Sequence, residues 1–268
     1  MTVKKKEPVK PVTKPDLPGS VTDENTLKKV LKFFGTMALI VVMCFIVCTM
    51  MSFGNSFLRI AANLAVVVLV MFILYSQGQG HGAEATARGE ILYQRKEKGQ
   101  EVSEGEQRLS YHPLKGYVTA LLGMIPFIIL ALILAFTAER QMTSAGTLPS
   151  WTSAMTKRSE IGGALVSYTQ GDPIAATDII RMIVRVIIMP FVSMVGSSNK
   201  DLMLTVERIS PLILLLPVIA YGTGFLNGKN IRTKIHTQIE ENKKIRRRRE
   251  NKARRARRNA ARQPEQLN

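Results

Sequence analysis

The sequence predicts an all-α fold: a polytopic transmembrane helical bundle with charged cytoplasmic tails, in which four spans are preferred and five are the alternative. Two observations carry this expectation. Apolar runs of membrane-crossing length recur along the chain, and charge is concentrated at its ends. Of the net +17 carried by 268 residues, residues 1–32 hold +4 (8 basic, 4 acidic) and residues 229–268 hold +11 (15 basic, 4 acidic), which leaves the middle nearly neutral. Such charge speaks to partners like anionic lipid or nucleic acid rather than to the fold.

Residues 1–26 set Pro8, Pro11, Pro15 and Pro18 among lysines with almost no large apolar side chain, the composition of a disordered tail. A helix start follows, with Thr22 or Asp23 as its cap and Leu27, Val30, Leu31 and Phe34 along one side. The membrane domain occupies 27–228. Its first span, 33–54, is 22 residues without a charge, about 33 Å as a helix, which matches the hydrocarbon core. The run is too long for a signal-peptide core, and no small-x-small cleavage site follows it. Cys44 and Cys48 lie one turn apart on one face of this helix, a spacing unsuited to a mutual disulfide, and read as small buried residues.

The second span, 58–75, contains Asn63, and Arg59 at its start can reach the headgroups. Only a few residues separate it from the first span, so the two form an antiparallel hairpin. The third, 117–138, has Pro126 inside it, where a kink is expected. The fourth, 209–226, is short, with Pro211 near its start and Pro217 within.

Residues 174–195 are long enough to cross but contain Asp178, Arg181 and Arg185, related by i, i+3 and i+7 and therefore forming one polar stripe on a helix. Each central arginine costs roughly 2.5–3.5 kcal/mol on insertion, while about eleven Ile, Val and Phe side chains return roughly 0.3–0.6 each, so hydropathy does not decide. Flanking charge does. Lys28, Lys29 and Lys32 place the N-terminus inside, and the basic residues of the loop 76–116 agree. A fifth span would put the 15 basic residues of 229–268 outside, so 174–195 is expected to lie in the outer interface or to enter partway. The expected location is the cell membrane, multi-pass, with both termini cytoplasmic.

Outside the spans the chemistry is sparse. In the loop 76–116, Gly78, Gly80 and Gly82 surround His81 but lack the strand and helix that a phosphate-binding loop requires. Residues 83–98 read as an exposed helix, with Glu84 and Arg88 at i, i+4. Glu101, Glu104 and Glu106 lie in a solvated segment unsuited to acid–base work, and His81, His112 and His236 are scattered. The outer loop, 139–173, is polar, holds the single tryptophan, Trp151, and ends in Asp172 and Pro173, a cap and first turn for the next helix. No catalytic or metal motif is present, so neither an enzyme nor a cofactor is expected.

Two features remain for function. Asp178, Arg181 and Arg185 either line a cavity that attracts an anion or meet lipid phosphates because the helix lies at the interface. The tail 229–268 has a thin apolar side at Ile231, Ile235, Ile239 and Ile245. Its cations are Lys243, Lys244, Arg246, Arg247, Arg248, Arg249, Lys252, Arg254, Arg255, Arg257, Arg258 and Arg262. They suit anionic lipid headgroups or RNA phosphates, and without Phe, Tyr or Trp the segment binds by charge rather than by base stacking. The expected function is non-enzymatic: a tether or accessory subunit of a membrane complex, whose tail binds anionic lipid, RNA or a cytoplasmic partner. The alternative is a small transporter or channel subunit in which the polar stripe lines an anion or substrate path. Membrane lipids and other membrane subunits are the further partners expected.

Overall fold

The computed structural model describes residues 12–51, 53–139, 155, 158, 176–196 and 199–262. Among these residues there are eight helices and no strand: α1 (Thr26–Met50), α2 (Ser56–Glu97), α3 (Glu104–Arg108), α4 (Lys115–Thr137), α5 (Ala176–Ile187), α6 (Met189–Val195), α7 (Lys200–Ile213) and α8 (Leu215–Arg262). The all-α bundle is therefore observed. Four helical stretches are long and apolar enough to cross a membrane, within Thr26–Met50, Ser56–Glu97, Lys115–Thr137 and Asp201–Arg258, which is compatible with an integral, multi-pass membrane protein. Trp151, Asp172, Pro173 and most of the outer loop lie outside the described residues.

The segment 174–195 does not form one spanning helix. From Ala176 onward it is broken at Ile188, ahead of Pro190, which has no N–H to continue the ladder. The pieces have 12 and 7 residues, about 18 and 10 Å, and neither reaches across hydrocarbon. The fourth expected span, 209–226, is likewise divided. It begins in α7 and continues in α8, with a turn at Leu214 three residues before Pro217. By contrast α4 runs unbroken through Pro126.

The chain divides into two compact units. One comprises Thr26–Leu74 and Tyr117–Ala220. In it α1 packs on α5 and α6, and both of these pack on α7. Phe33, Met37, Cys44 and Cys48 form the buried face of α1. Phe33 fits against Gly123 of α4, where a Cβ would stand 2.7 Å from the ring, and Phe34 stacks on Phe127 at 5.1 Å. Leu39, Val42, Leu64, Val68, Phe72 and Ile129 point outward, as lipid-facing side chains do.

The other unit comprises residues 1–25, Tyr75–Gly116 and Tyr221–Asn268. Residues 76–97, expected to open a loop, instead continue α2 as helix, so the second span and the exposed helix at 83–98 are one element of 42 residues. Gly78, Gly80 and Gly82 are helical and form no phosphate loop. α2 stops at Gly99, whose φ of 75° admits the reversal, with the Gln100 N–H donating to the Arg95 carbonyl at 3.0 Å. The basic tail is helical as well: α8 extends without interruption to Arg262.

These two long helices cross through glycine. A Cβ on Gly78 would meet the carbonyl oxygen of Tyr221, one on Gly82 that of Phe225, and one on Gly224 that of Tyr75. A Cβ on Gly228 would lie 2.5 Å from backbone atoms of Gly82 and Ala83. Each helix thus presents two glycines four residues apart to the other, and the backbones touch where side chains normally intervene. Polar contacts flank the crossing: Asn227 donates to the Tyr75 hydroxyl at 2.9 Å, and His81 Nδ1 lies 2.8 Å from the Tyr221 hydroxyl.

Residues 12–25 form an extended segment held by hydrogen bonds, where disorder was expected for this part of 1–26. Residues 1–11 lie outside the described residues.

Because the obstruction at the crossing is backbone, it cannot be relieved by a rotamer change. Gly82→Val or Gly224→Val is expected to destabilise the protein by about 1–3 kcal/mol, whereas Gly80→Ala, with open space at its Cβ, leaves stability unchanged or slightly raised. Thermal unfolding in a neutral detergent measures both.

Candidate functional sites: an arginine–glutamate brace and a basic helix

The two arginines of the α5 stripe turn toward protein, and part of the helix's apolar surface faces outward. Ile179, Met182 and Ile183 are exposed, while Val184 is buried. This inverts a water-soluble amphipathic helix and suits a helix whose charges must be satisfied away from hydrocarbon. The satisfying group is Glu207 of α7, which the spacing of residues in the sequence does not single out. Its side chain is 2% exposed, and its Oε1 accepts from Arg185 Nε at 2.7 Å and lies 2.5 Å from Arg185 Nη2. Arg181 Nε lies 3.3 Å from Glu207 Oε2, an ionic contact without hydrogen-bond alignment, and Arg181 Nη2 donates to the Glu139 carbonyl at 3.0 Å. Asp178 stands 3.8 Å from Arg181, half exposed.

Two guanidinium groups and two carboxylates therefore balance, and the arrangement ties α5 to α7. All three residues of the stripe are brought together, with a fourth added. The sequence signal for Glu207 was an acid beside Arg208, between Val206 and Ile209 and just ahead of an apolar run. Nothing in its local spacing identified the two arginines of α5 as its partners.

The second feature is the basic part of α8. Residues 243–258 are exposed throughout, and the helix carries Arg262 at its end. Arg246 pairs with Glu250 at 2.9 Å, and Lys243 lies 4.0 Å from Glu240. Pairs this exposed contribute little stability. The sequence stretch 243–262 contains 12 basic residues and one acidic residue, all on one continuous helix. On a rise of 1.5 Å per residue, the stretch from Lys243 to Arg258 covers about 22 Å.

Nearer the glycine crossing, α8 is fastened to α2 by a buried charge cluster that sequence spacing could not reveal. Glu90 and His236 are each about 5% exposed; His236 Nε2 lies 2.8 and 2.9 Å from the two Glu90 oxygens, and Arg232 Nε donates to Glu90 Oε2 at 3.0 Å. Tyr111 stacks on Phe225 at 5.6 Å between ring centres, with Lys229 Nζ 5.8 Å from the Tyr111 ring. Its phenol is pushed above the usual tyrosine range, first by burial and then by the negative charge of Asp16. Among the described residues no group of three or more His, Cys, Asp and Glu is placed to hold a metal ion.

No family model matches the chain, and neither a curated protein nor a solved structure matches it.

Glu207→Gln removes the buried carboxylate that two largely enclosed guanidinium groups share. Breaking a buried pair from one side costs about 3–5 kcal/mol, and the partial exposure of Arg185 places the expected loss at or below the lower end of that range. Arg185→Gln is expected to cost less than Glu207→Gln, because Arg181 stays paired. Unfolding of the purified variants in detergent compares the two.

Proposed function

We propose that the protein is a non-enzymatic membrane tether: a bundle fixed in the bilayer that holds an arginine-rich helix out into the cytoplasm to bind RNA phosphates. The observation that carries this reading is the continuity of α8 from its apolar start to Arg262. From Leu226, the last residue of the expected span, to Lys243 the helix advances about 25 Å, and to Arg258 about 48 Å. Even at a tilt of about 40°, the first of the clustered cations stands roughly 19 Å beyond the span. The Debye length is about 10 Å at 0.1 M salt, so attraction to the protein's own bilayer is largely screened at that height. A polyanion standing off the membrane is therefore favoured over anionic headgroups.

Two further observations support the cytoplasmic side. Tyr75 and Leu226 end the second and fourth expected spans, and the crossing of α2 with α8 brings these ends together, as an even number of crossings requires. The N-terminal segment 12–25 bonds to the same two helices, in keeping with both termini lying on the side that positive flanking charge marks as inside. The transport alternative draws less support, because Glu207 already engages the two arginines that would attract an anion.

RNA binding is expected to be strong at low salt and to weaken steeply, with a log–log slope steeper than about −4 if six or more phosphates are neutralised. The test is fluorescence anisotropy of labelled RNA with the protein in zwitterionic nanodiscs, together with a variant lacking 243–262. Loss of binding in that variant supports the reading. Binding that survives the deletion, or association with anionic vesicles but not RNA, would sink it.

A further inference from the structure

The extended segment 12–25 is more than a connection to α1. It touches three separate parts of its unit. The Leu17 N–H donates to the Gly89 carbonyl of α2 at 3.2 Å, and the Gly19 N–H donates to the Tyr111 carbonyl in the connection before α4 at 2.9 Å. On α8, the Val12 N–H donates to Thr237 Oγ1 at 3.1 Å, and Lys229 Nζ reaches both Asp16 oxygens at 3.1 Å. Gln107 adds a bond to the Pro18 carbonyl at 3.3 Å. The seating is close: a Cβ on Gly19 would collide with the carbonyl group of Ser110, and one on Gly89 would lie 2.9 Å from the Leu17 carbonyl oxygen.

At the end of this segment is a built carboxylate site. Lys115, at the start of α4, has a side chain 4% exposed, and its ammonium donates to the carbonyls of Arg108 at 2.8 Å and Ser110 at 3.3 Å. The side chain of Asp23 is fully buried, and its carboxylate lies 2.7 Å from the same nitrogen. Two carbonyls orient the ammonium but carry no full charge, so Asp23 supplies the anion that a buried lysine requires. Pro15 and Pro18 within the segment favour an extended backbone before binding, which lowers the entropy lost on seating.

We propose that residues 12–25 are a releasable latch across the cytoplasmic parts of α2 and α8, locked by insertion of the Asp23 carboxylate into the Lys115 site. The ligand class of that site is a carboxylate on an extended peptide, and its native occupant is this chain's own N-terminal segment. With the latch seated, α8 is held to α2 on both sides of the Glu90 cluster, at Lys229 and at Thr237. With it released, the glycine crossing and Glu90 remain, and the helix beyond Thr237 loses one restraint. This inference rests on contacts among residues 12–25, 75–116 and 221–237 and does not depend on what the basic helix binds.

Hydrogen exchange of the full-length protein in nanodiscs tests it, read at peptides covering 12–24. Protection of Leu17 and Gly19 is expected, with exchange accelerated about tenfold or more in Asp23→Asn while the peptides of α4 stay protected. Gly19→Val, which blocks seating without changing charge, is expected to do the same. A second readout is the distance between spin labels at Gln94 and Gln238, expected to be narrow in the native protein and broader in both variants. Intrinsic-rate exchange of Leu17 and Gly19 in the native protein would overturn the latch. So would variants in which neither exchange nor the distance distribution changes. Should Asp23→Asn expose α4 as a whole, Gly19→Val, which keeps both the Asp23 carboxylate and the Lys115 ammonium in the chain, decides the question.

Discussion

The approach of α2 and α8 through Gly78, Gly82, Gly224 and Gly228 is the constraint on which the membrane-exit region depends. Two backbones in contact gain dispersion along their whole crossing and leave no freedom to slide, since a shift by one residue would bring Tyr221 or Phe225 side chains into the gap. Once that register is fixed, contacts farther along follow from helix geometry. Glu90 lies two turns beyond Gly82, and Arg232 and His236 lie one and two turns beyond Gly228, so the two helices present these residues at matching heights. The buried cluster of Glu90, Arg232 and His236 is thus set by the glycines beneath it. Removing one partner from such a buried cluster leaves an uncompensated charge, so separating Glu90 from Arg232 and His236 carries a cost.

The membrane-embedded unit solves a different problem. A short helix bearing Asp178, Arg181 and Arg185 carries charge that hydrocarbon does not tolerate, and α7 supplies Glu207 to compensate it. The apolar residues of this helix only nearly offset the expected insertion cost of its arginines, and Glu207 supplies an opposite charge within protein. Proline determines how the compensation is reached. Pro190 ends α5 before it can cross, and Pro217 separates α7 from α8, so Glu207 stands on a helix that is not a simple continuation of the last span.

How much of this was legible in the sequence follows from the range of the interactions. The four apolar runs were, because crossing a bilayer is a local requirement written in consecutive residues, and helix covers each of them, the fourth with a turn at Leu214. The Glu84–Arg88 pair, one turn apart, was equally readable. The continuation of α2 past Tyr75 was not. Gly78, Gly80 and Gly82 lower helix propensity and read as a loop, and only the backbone of α8 against two of them explains why helix persists. Gly224 and Gly228 stand four residues apart in the sequence, but the glycines they meet, Gly78 and Gly82, lie 146 residues away. For the same reason Asp178, Arg181 and Arg185 could be placed on one face while Glu207 stayed hidden. Composition is silent on the contacts of residues 12–25: a proline-rich segment with few apolar groups cannot form its own core, yet carbonyls and one buried lysine can hold it.

That α2 and α8 emerge from the bilayer on one side, with the basic helix inside, is the claim from which the proposed role derives. Accessibility of single cysteines in intact cells tests it most directly, with Cys44 and Cys48 replaced by alanine and one new thiol introduced by Met155→Cys or by Asn251→Cys. Four crossings predict that an impermeant maleimide labels position 155 in intact cells and position 251 only after permeabilisation. Labelling of position 251 from outside would contradict it.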